Sequence, residues 1–190
     1  MPAASRVKGP TFPLSHRLFR MVWRVSWALL GAWTPPPLHG WRRRLVRLFG
    51  GRIAPTAQIY GSVRIWYPPN LEMGPYACLG PGVDCYCMAP IVLGPGALVS
   101  QRAYLCAGTH DIADPDFPLI TRAIDIGADA WIAAEAFVGP GVTVGEGAVL
   151  GARGVAVRDL APWTVYGGNP ARALKVRKVT SSGVRPPPRP

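Results

Sequence analysis

The fold is decided by residues 126–156, which read IGADAWIAAEAFVGPGVTVGEGAVLGARGVA. An aliphatic or small apolar residue stands at every sixth position of this stretch, namely at Ile126, Ile132, Val138, Val144, Leu150 and Ala156. A repeat of this length indicates that each unit is one short strand followed by a turn. Continuous α-helices are excluded here, because the 22 glycines and 22 prolines of the chain would break them every few residues.

The same period extends back along the chain to Ile53. It adds three groups of three positions: Ile53, Ile59 and Ile65; Met73, Leu79 and Cys85; and Leu93, Val99 and Leu105. Within the resulting five groups the step is six residues, whereas between groups it is eight, eight, twenty-one and six. The extra residues therefore fall at one corner. We predict an all-β solenoid of about five triangular coils, with three units in each coil and the aliphatic residues stacked at its centre.

Glycine placement supports the solenoid. A glycine directly follows the aliphatic position at Gly74, Gly80, Gly94, Gly127, Gly139, Gly145 and Gly151. Since glycine has no Cβ, it permits two backbones to approach closely at a corner.

Charge divides the chain into three segments. Residues 1–52 contain ten Lys or Arg and no acid, residues 53–171 contain five against ten acids, and residues 172–190 contain six and no acid. We predict a basic amphipathic N-terminal segment, a solenoid domain over 53–171 and a basic C-terminal tail whose end, Ser181–Pro190, is disordered. An acidic middle argues against a nucleic-acid partner, and the basic ends suit an anionic surface.

The N-terminal segment combines apolar and basic residues. Its longest uncharged run, Val25–Pro37, is too short to span a bilayer and ends in three prolines. Arg17, Arg20 and Arg24 are interleaved with apolar residues, as in an amphipathic helix that lies at an interface, and residues 41–49 repeat this chemistry. Two interpretations stay open and are compatible: the helices contact an anionic membrane, or they cap the open end of the solenoid and turn their arginines to water.

The four cysteines all lie in the middle segment, at Cys78, Cys85, Cys87 and Cys106. We expect free thiols in the core of a protein kept in a reducing compartment. Cys85 and Cys87 have the spacing of half a metal site, but no second pair and no nearby histidine accompany them, so no metal is expected. We expect a cytoplasmic protein, either free or peripheral at the inner face of the membrane.

Several motifs carry a resemblance to a known family. They are IGADAWI at 126–132, GNPAR at 168–172, YLCAGTHD at 104–111 and LHGWR at 38–42. Together with the six-residue repeat, they resemble the hexapeptide-repeat acyltransferases, in particular the colanic acid biosynthesis acetyltransferase branch, over roughly residues 12 to 178. The resemblance implies a left-handed parallel β-helix, a homotrimer and acetyl-CoA as co-substrate.

His110 is the candidate catalytic residue. It is the only histidine in the solenoid segment and directly precedes the long insertion Asp111–Asp125. Acyl transfer to an alcohol needs a base that takes the hydroxyl proton, and neutral imidazole suits that role near pH 7. A histidine at this motif does so in similar enzymes. Asp111 either orients the ring or only begins the loop.

Coenzyme A needs a narrow groove with backbone donors and with cations for its phosphates. The resemblance places that groove between neighbouring subunits and implies three roles: Trp131 at the acceptor or pantetheine region, Ala134 and Ala152 as backbone contacts, and Arg158, Arg172 and Lys175 at the phosphates. Trp131 is also open to interpretation as an outer packing residue, and Arg172 and Lys175 as solvated charges.

The acceptor site departs from the family pattern. A polar residue is common where this chain has Tyr86 and Cys87, so these two are candidate acceptor contacts. Asp114 and Arg122 of the long insertion either bind sugar hydroxyls or only solvate a surface loop.

The function that follows is transfer of an acetyl group from acetyl-CoA to a sugar hydroxyl, in the synthesis of a colanic-acid-like exopolysaccharide. The basic N-terminal segment favours a lipid-linked glycan as acceptor.

Two alternatives stay open: a small non-sugar acceptor such as a xenobiotic or serine, and a non-enzymatic scaffold trimer at a membrane surface. A carbonic anhydrase is excluded because three histidine ligands are lacking. A sugar-nucleotide transferase is excluded because no Gly-rich nucleotide motif precedes residue 53.

Overall fold

The computed structural model describes residues 12–178. Its elements follow the chain in this order: α1 (Leu14–Leu30), α2 (His39–Leu48), β1 (Arg52–Ile53), β2 (Gln58–Ile59), β3 (Arg64–Ile65), a 3₁₀ turn (Pro68–Asn70), β4 (Leu71–Met73), β5 (Cys78–Leu79), β6 (Asp84–Tyr86), β7 (Ile91–Leu93), β8 (Leu98–Val99), β9 (Tyr104–Cys106), β10 (Gly108–His110), β11 (Leu119–Thr121), β12 (Ile124–Ile126), β13 (Trp131–Ile132), β14 (Phe137–Val138), β15 (Thr143–Val144), β16 (Val149–Leu150), β17 (Val155–Ala156), β18 (Thr164–Gly167) and β19 (Arg172–Val176).

Three parallel sheets form the three faces of a left-handed β-helix. The first face contains β1, β4, β7, β12 and β15; the second contains β2, β5, β8, β13, β16 and β18; the third contains β3, β6, β9, β14 and β17. The chain completes five coils, and a sixth is left incomplete, with β18 paired to β16 and Leu160 bridged to Val144. The prediction of about five triangular coils is confirmed.

The core is the column of residues that the six-residue period identifies. All five groups of three point inward, and none of these residues is more than 6% exposed. Each stacks on its counterpart one coil away, as Ile126 pairs with Val144 and Ile132 with Leu150. Burial of aliphatic side chains is the main favourable contribution to such a fold.

The corner glycines have the predicted steric role. A Cβ built on Gly127 would lie 2.6 Å from the backbone nitrogen of Glu146 in the next coil, a distance that real Cβ atoms essentially never show. The Gly127 amide meanwhile donates to the carbonyl of Val144 at 2.7 Å. Glycine therefore allows successive coils to pair closely.

The residues that lengthen the six-residue period lie at the corner between the third face and the first. The longest insertion contains an antiparallel hairpin of β10 and β11, in which His110 pairs with Leu119. This hairpin interrupts the solenoid without shifting its register, because β12 pairs with β7 below it.

The two N-terminal helices cap the first coil. Trp23 of α1 donates from its indole to the carbonyl of Ile65 at 2.7 Å. From α2, Arg43 donates to the carbonyl of Ala57 at 2.8 Å and Arg47 to that of Ile53 at 2.7 Å. The capping interpretation is thus right for position. Arg17, Arg24 and Arg44 are exposed to water as it expects, but Arg43 and the exposed Arg47 also donate to the solenoid. The first coil has no coil beneath it, so the backbone carbonyls at its open edge need donors from the helices.

The C-terminal segment differs from the expected tail. Residues 172–176 form β19, which pairs antiparallel with β18, and Arg177 donates to the carbonyls of Asp129 and Gly147 at 2.9 and 2.8 Å. The last coil leaves a free sheet edge that this strand covers. The predicted disorder of Ser181–Pro190 lies outside the described residues. Within residues 12–178, no helix is long and apolar enough to cross a membrane.

Candidate active site

His110 ends β10 and is exposed at the long corner insertion. Its Nδ1 lies 2.7 Å from the carbonyl oxygen of Phe117. Because a carbonyl oxygen can only accept a hydrogen bond, Nδ1 must be the donor, and in the neutral ring Nε2 then carries the free lone pair. Phe117 occupies the left-handed region with φ 48°, which marks the tight turn that brings its carbonyl to the ring.

The carboxylates of the insertion shape the loop. Asp111 accepts a hydrogen bond from the amide of Ala113 at 3.0 Å, and Asp114 accepts one from the amide of Asp116 at 2.9 Å. These are local turns in which a side chain binds the backbone two residues ahead. Of the two interpretations of Asp111, the structure therefore favours the one in which it begins the loop, since the partner of the His110 ring is the Phe117 carbonyl.

An open cleft of about 470 Å³ lies beside His110. Its lining is shared by the first helix, the third face and the insertion: Phe12, Arg17, Arg20, Trp66, Tyr86, Met88, His110 and Leu119. The helix was predicted only as a cap or a membrane contact, so its contribution to this cleft is new. No local pattern could have indicated it, because the helix precedes His110 by about 80 residues.

Aromatic rings form one wall of the cleft. Trp66 and Tyr86 stand edge to face with centroids 5.7 Å apart, and the Arg20 guanidinium lies 4.0 Å from the centroid of Trp66. Tyr86 is therefore at the cleft, and its role as an acceptor contact stays a prediction. Cys87 is not, and that prediction is wrong: it is 0% exposed, and its sulfur lies 3.3 Å from both the amide and the carbonyl of Tyr67.

The other two acceptor candidates lie away from the cleft. Asp114 is exposed at the tip of the insertion, and Arg122 extends over Gly141 in the next coil, where a Cβ on that glycine would lie 3.1 Å from the Arg122 Cδ. The backbone of Arg122 continues the coil by donating to the carbonyl of Ala107 at 3.0 Å. Neither residue lines the cleft at His110 in the single chain.

The predicted cofactor residues fall into three places on the chain. Trp131 and Lys175 line a hollow of about 690 Å³ on the second face, where the Trp131 indole donates to the Ser100 hydroxyl at 2.9 Å. Arg158 and Arg172 line a hollow of about 260 Å³ near the end of the solenoid.

The third place is the corner between the second and third faces, which contains Ala134 and Ala152. The carbonyl of Ala134 accepts a hydrogen bond from the amide of Arg153 at 2.9 Å, and Ala152 is exposed. A single chain therefore does not gather the six cofactor residues into one groove. Among residues 12–178, no group of three His, Cys, Asp or Glu could hold a metal ion.

Comparisons with known proteins agree with this architecture. No model of a known protein family matches the chain. The chain is 40% identical over 159 residues to the protein named colanic acid biosynthesis acetyltransferase WcaF of Escherichia coli K12, and the match covers 84% of this chain and 87% of that protein. The chain belongs to the colanic acid acetyltransferase branch of the hexapeptide-repeat acyltransferases.

Solved structures of other hexapeptide-repeat acyltransferases share the fold. A maltose O-acetyltransferase from Clostridium difficile 630 superposes with a TM-score of 0.77 at 21% identity, over 88% of this chain and 90% of that chain. Acetyltransferase VCA0836 of Vibrio cholerae O1 biovar eltor, complexed with acetyl coenzyme A, superposes with a TM-score of 0.73 at 22% identity, over 87% of this chain and 88% of that chain. At these identities the likeness concerns the fold alone.

Proposed function

We propose that this hexapeptide-repeat acyltransferase moves an acetyl group from acetyl-CoA to a hydroxyl of a sugar, with His110 as general base. One observation carries the proposal. The Phe117 carbonyl holds Nδ1 of His110 as a donor, so in the neutral ring the lone pair is on Nε2, and His110 lines the cleft. An imidazole held in this way is ready to accept a proton from an alcohol in the cleft.

The reaction balances without a further co-reactant. Nε2 takes the hydroxyl proton while the oxygen attacks the thioester carbonyl. The tetrahedral intermediate then collapses, the carbon–sulfur bond breaks and the imidazolium returns the proton to the departing thiolate. The products are an acetyl ester and free coenzyme A. The Phe117 carbonyl also stabilises the imidazolium, because it keeps its hydrogen bond to Nδ1 throughout.

Acetyl-CoA is proposed to bind in a groove between subunits of a homotrimer. Support comes from the distribution of the six cofactor residues over separate sides of one subunit, since a groove formed by two subunits can use two of those sides at once. The bound acetyl coenzyme A in VCA0836, which shares this fold, supports the same co-substrate. The aromatic pair Trp66 and Tyr86 supports a sugar acceptor, because ring faces pack well against the C–H faces of sugars.

Peripheral contact with an anionic membrane is part of the proposal. The face of α1 turned away from the solenoid is apolar, and each of Leu14, Met21, Val22, Val25 and Leu29 is at least 52% exposed. Residues 1–52 carry ten basic residues and no acid, which favours anionic lipid over a protein surface as the occupant of this face. A cytoplasmic enzyme bound in this way would meet a lipid-linked glycan at the inner face of the membrane.

The central test compares two neighbouring substitutions. His110→Ala removes the base, so we expect kcat to fall about 10²- to 10⁴-fold while the affinity for acetyl-CoA, measured by calorimetric titration, stays within twofold. Asp111→Asn is the matched control and should keep most of the activity, since its contact is to the loop. Wild-type turnover by the His110 variant would remove the residue from the mechanism. Absence of acetyl-CoA binding by the folded wild-type trimer would instead support the scaffold.

Vesicle sedimentation tests the membrane contact. The full chain should bind vesicles that contain phosphatidylglycerol more tightly than vesicles of phosphatidylcholine alone. The double substitution Met21→Ser and Val25→Ser should abolish that binding and leave the trimer intact. If the variant dissociates instead, a neighbouring subunit covers this face and the membrane proposal fails.

A further inference from the structure

The cleft at His110 continues as a groove along α1. A second hollow of about 500 Å³ lies between this helix and the third face, and it shares Arg20, Trp66 and Tyr86 with the cleft. Arg24 and Arg64 line the further part of it. The continuous space is longer than the cleft alone, so the groove has room for a group attached to the reacting sugar.

Three arginines of α1 line this groove. Arg17, Arg20 and Arg24 are spaced by three and four residues, which places them on one side of the helix, and we call them the arginine row. None of them forms an ion pair with any acid in residues 12–178. The nearest carboxylate along the groove, that of Asp84, is already bound to Arg64 at 3.4 Å.

The surroundings of Arg20 disfavour its positive charge. Burial has the largest effect and lowers the pKa of Arg20; Tyr86 opposes it, and repulsion from Arg24 and then Arg17 lowers the pKa further. Like charges gathered without a counter-ion repel one another, and an anion between them relieves that repulsion. The Arg20 guanidinium lies 4.0 Å from the centroid of the Trp66 ring, and a guanidinium over a ring face can still donate hydrogen bonds from its N–H edge.

We infer that the arginine row binds a phosphate or diphosphate group carried by the acceptor, so that the substrate class is a sugar phosphoester and not a neutral sugar. In this arrangement the reacting hydroxyl lies at Nε2 of His110, the sugar packs against Trp66 and Tyr86, and the phosphate oxygens lie at the arginines. Guanidinium groups match phosphate geometry with paired hydrogen bonds. The inference rests on the proposed function for its reaction, while the anion site itself can be measured separately.

The first experiment measures the anion site without any acetyl transfer. The trimer is first saturated with coenzyme A, which occupies the cofactor phosphate sites, and is then titrated calorimetrically with inorganic pyrophosphate. The double variant Arg17→Gln, Arg20→Gln should bind pyrophosphate about 100-fold more weakly, since each lost charged contact is worth about tenfold. Arg44→Gln is the matched control, because it removes the same charge from an exposed position on α2.

Two outcomes of that titration would overturn the inference: no pyrophosphate binding by the coenzyme-A-loaded wild type, or equal binding by the double variant. An unchanged affinity of the double variant for coenzyme A verifies that the protein is still folded and assembled.

The second experiment measures acceptor preference. A panel of sugar 1-phosphates is compared with the same sugars lacking phosphate, and the ratio of the two kcat/KM values is recorded. The ratio should favour the phosphates in the wild type and fall about 100-fold in the double variant. A ratio that does not change in the double variant would sink the inference.

A membrane headgroup is the other source of phosphate near α1. If the double variant loses binding to phosphatidylglycerol vesicles while its preference for sugar phosphates is unchanged, the arginine row serves the membrane and the inference is wrong. If the wild type transfers no acetyl group to any acceptor and binds no acetyl-CoA, the proposed function fails. The pyrophosphate titration, then run without coenzyme A, still decides whether the groove is an anion site.

Discussion

Arg42 provides the sharpest test of how the N-terminal helices are attached to the solenoid. Its side chain is 0% exposed, and its guanidinium donates only to uncharged groups. Nε donates to the Ile59 carbonyl at 2.5 Å, Nη1 donates to the hydroxyl of Thr34 at 2.8 Å and the carbonyl of Pro35 at 3.0 Å, and Nη2 donates to the carbonyl of Pro36 at 2.5 Å. Substitution by methionine keeps much of the volume and removes every donor.

The loss of stability expected for Arg42→Met can be estimated from each group that loses a hydrogen bond. The Ile59 carbonyl keeps the His39 ring as a partner at 2.9 Å, and Pro35 and Pro36 are exposed, so water can reach their carbonyls. Thr34 is buried and loses a donor, at a cost of about 1–3 kcal/mol. Smaller losses at the proline carbonyls add to this, and relief from burying a charge offsets part of the sum. We expect Arg42→Met to lower the free energy of unfolding by about 2–4 kcal/mol.

Denaturant unfolding at fixed protein concentration measures this value, so that any contribution from subunit association is held constant. Arg44→Met is the control, since Arg44 is an exposed residue of the same helix and should change stability by less than about 0.5 kcal/mol. If the two variants have equal stability within that margin, the capping role assigned to Arg42 is refuted.

Two further predictions concern the solenoid. Gly127→Ala places a Cβ 2.6 Å from the backbone of the next coil and should lower stability by about 1–3 kcal/mol in thermal unfolding. Gly40→Ala is the control, because its Cβ would lie 3.6 Å from its nearest neighbour in α2, and it should preserve or raise stability. Equal effects of the two substitutions would exclude a steric role for Gly127. Burial raises the pKa of the Cys78 thiol to about 11, so a thiol reagent at pH 8 should label the Cys78 peptide slowly until the protein is denatured; rapid labelling of the native protein, detected by mass spectrometry, would contradict this.

The placement of His110 and Tyr86 at one corner of the solenoid could be predicted from sequence, but their contacts could not. His110 follows from its place before the insertion, and Tyr86 from its place at the same corner one coil earlier. Cys87 was wrongly assigned because the alternation of β6 continues one residue past its end: Cys85 and Cys87 are buried and Tyr86 between them is not, so neighbours in sequence face opposite sides. Asp111 was left open because the loop that brings the Phe117 carbonyl to the His110 ring is seen only in the structure.

The six-residue period by itself determined the coils, the inward residues and the corner that holds the insertion. It could do so because each unit of a solenoid contacts only its neighbours, so the local pattern repeats the tertiary contacts. Only the tertiary structure decided which group holds the His110 ring, where α1 lies and which arginines meet carbonyls or line the groove. These contacts join residues far apart in sequence, as Trp23 meets Ile65 across 42 residues, and their geometry depends on the completed solenoid surface that no local pattern encodes.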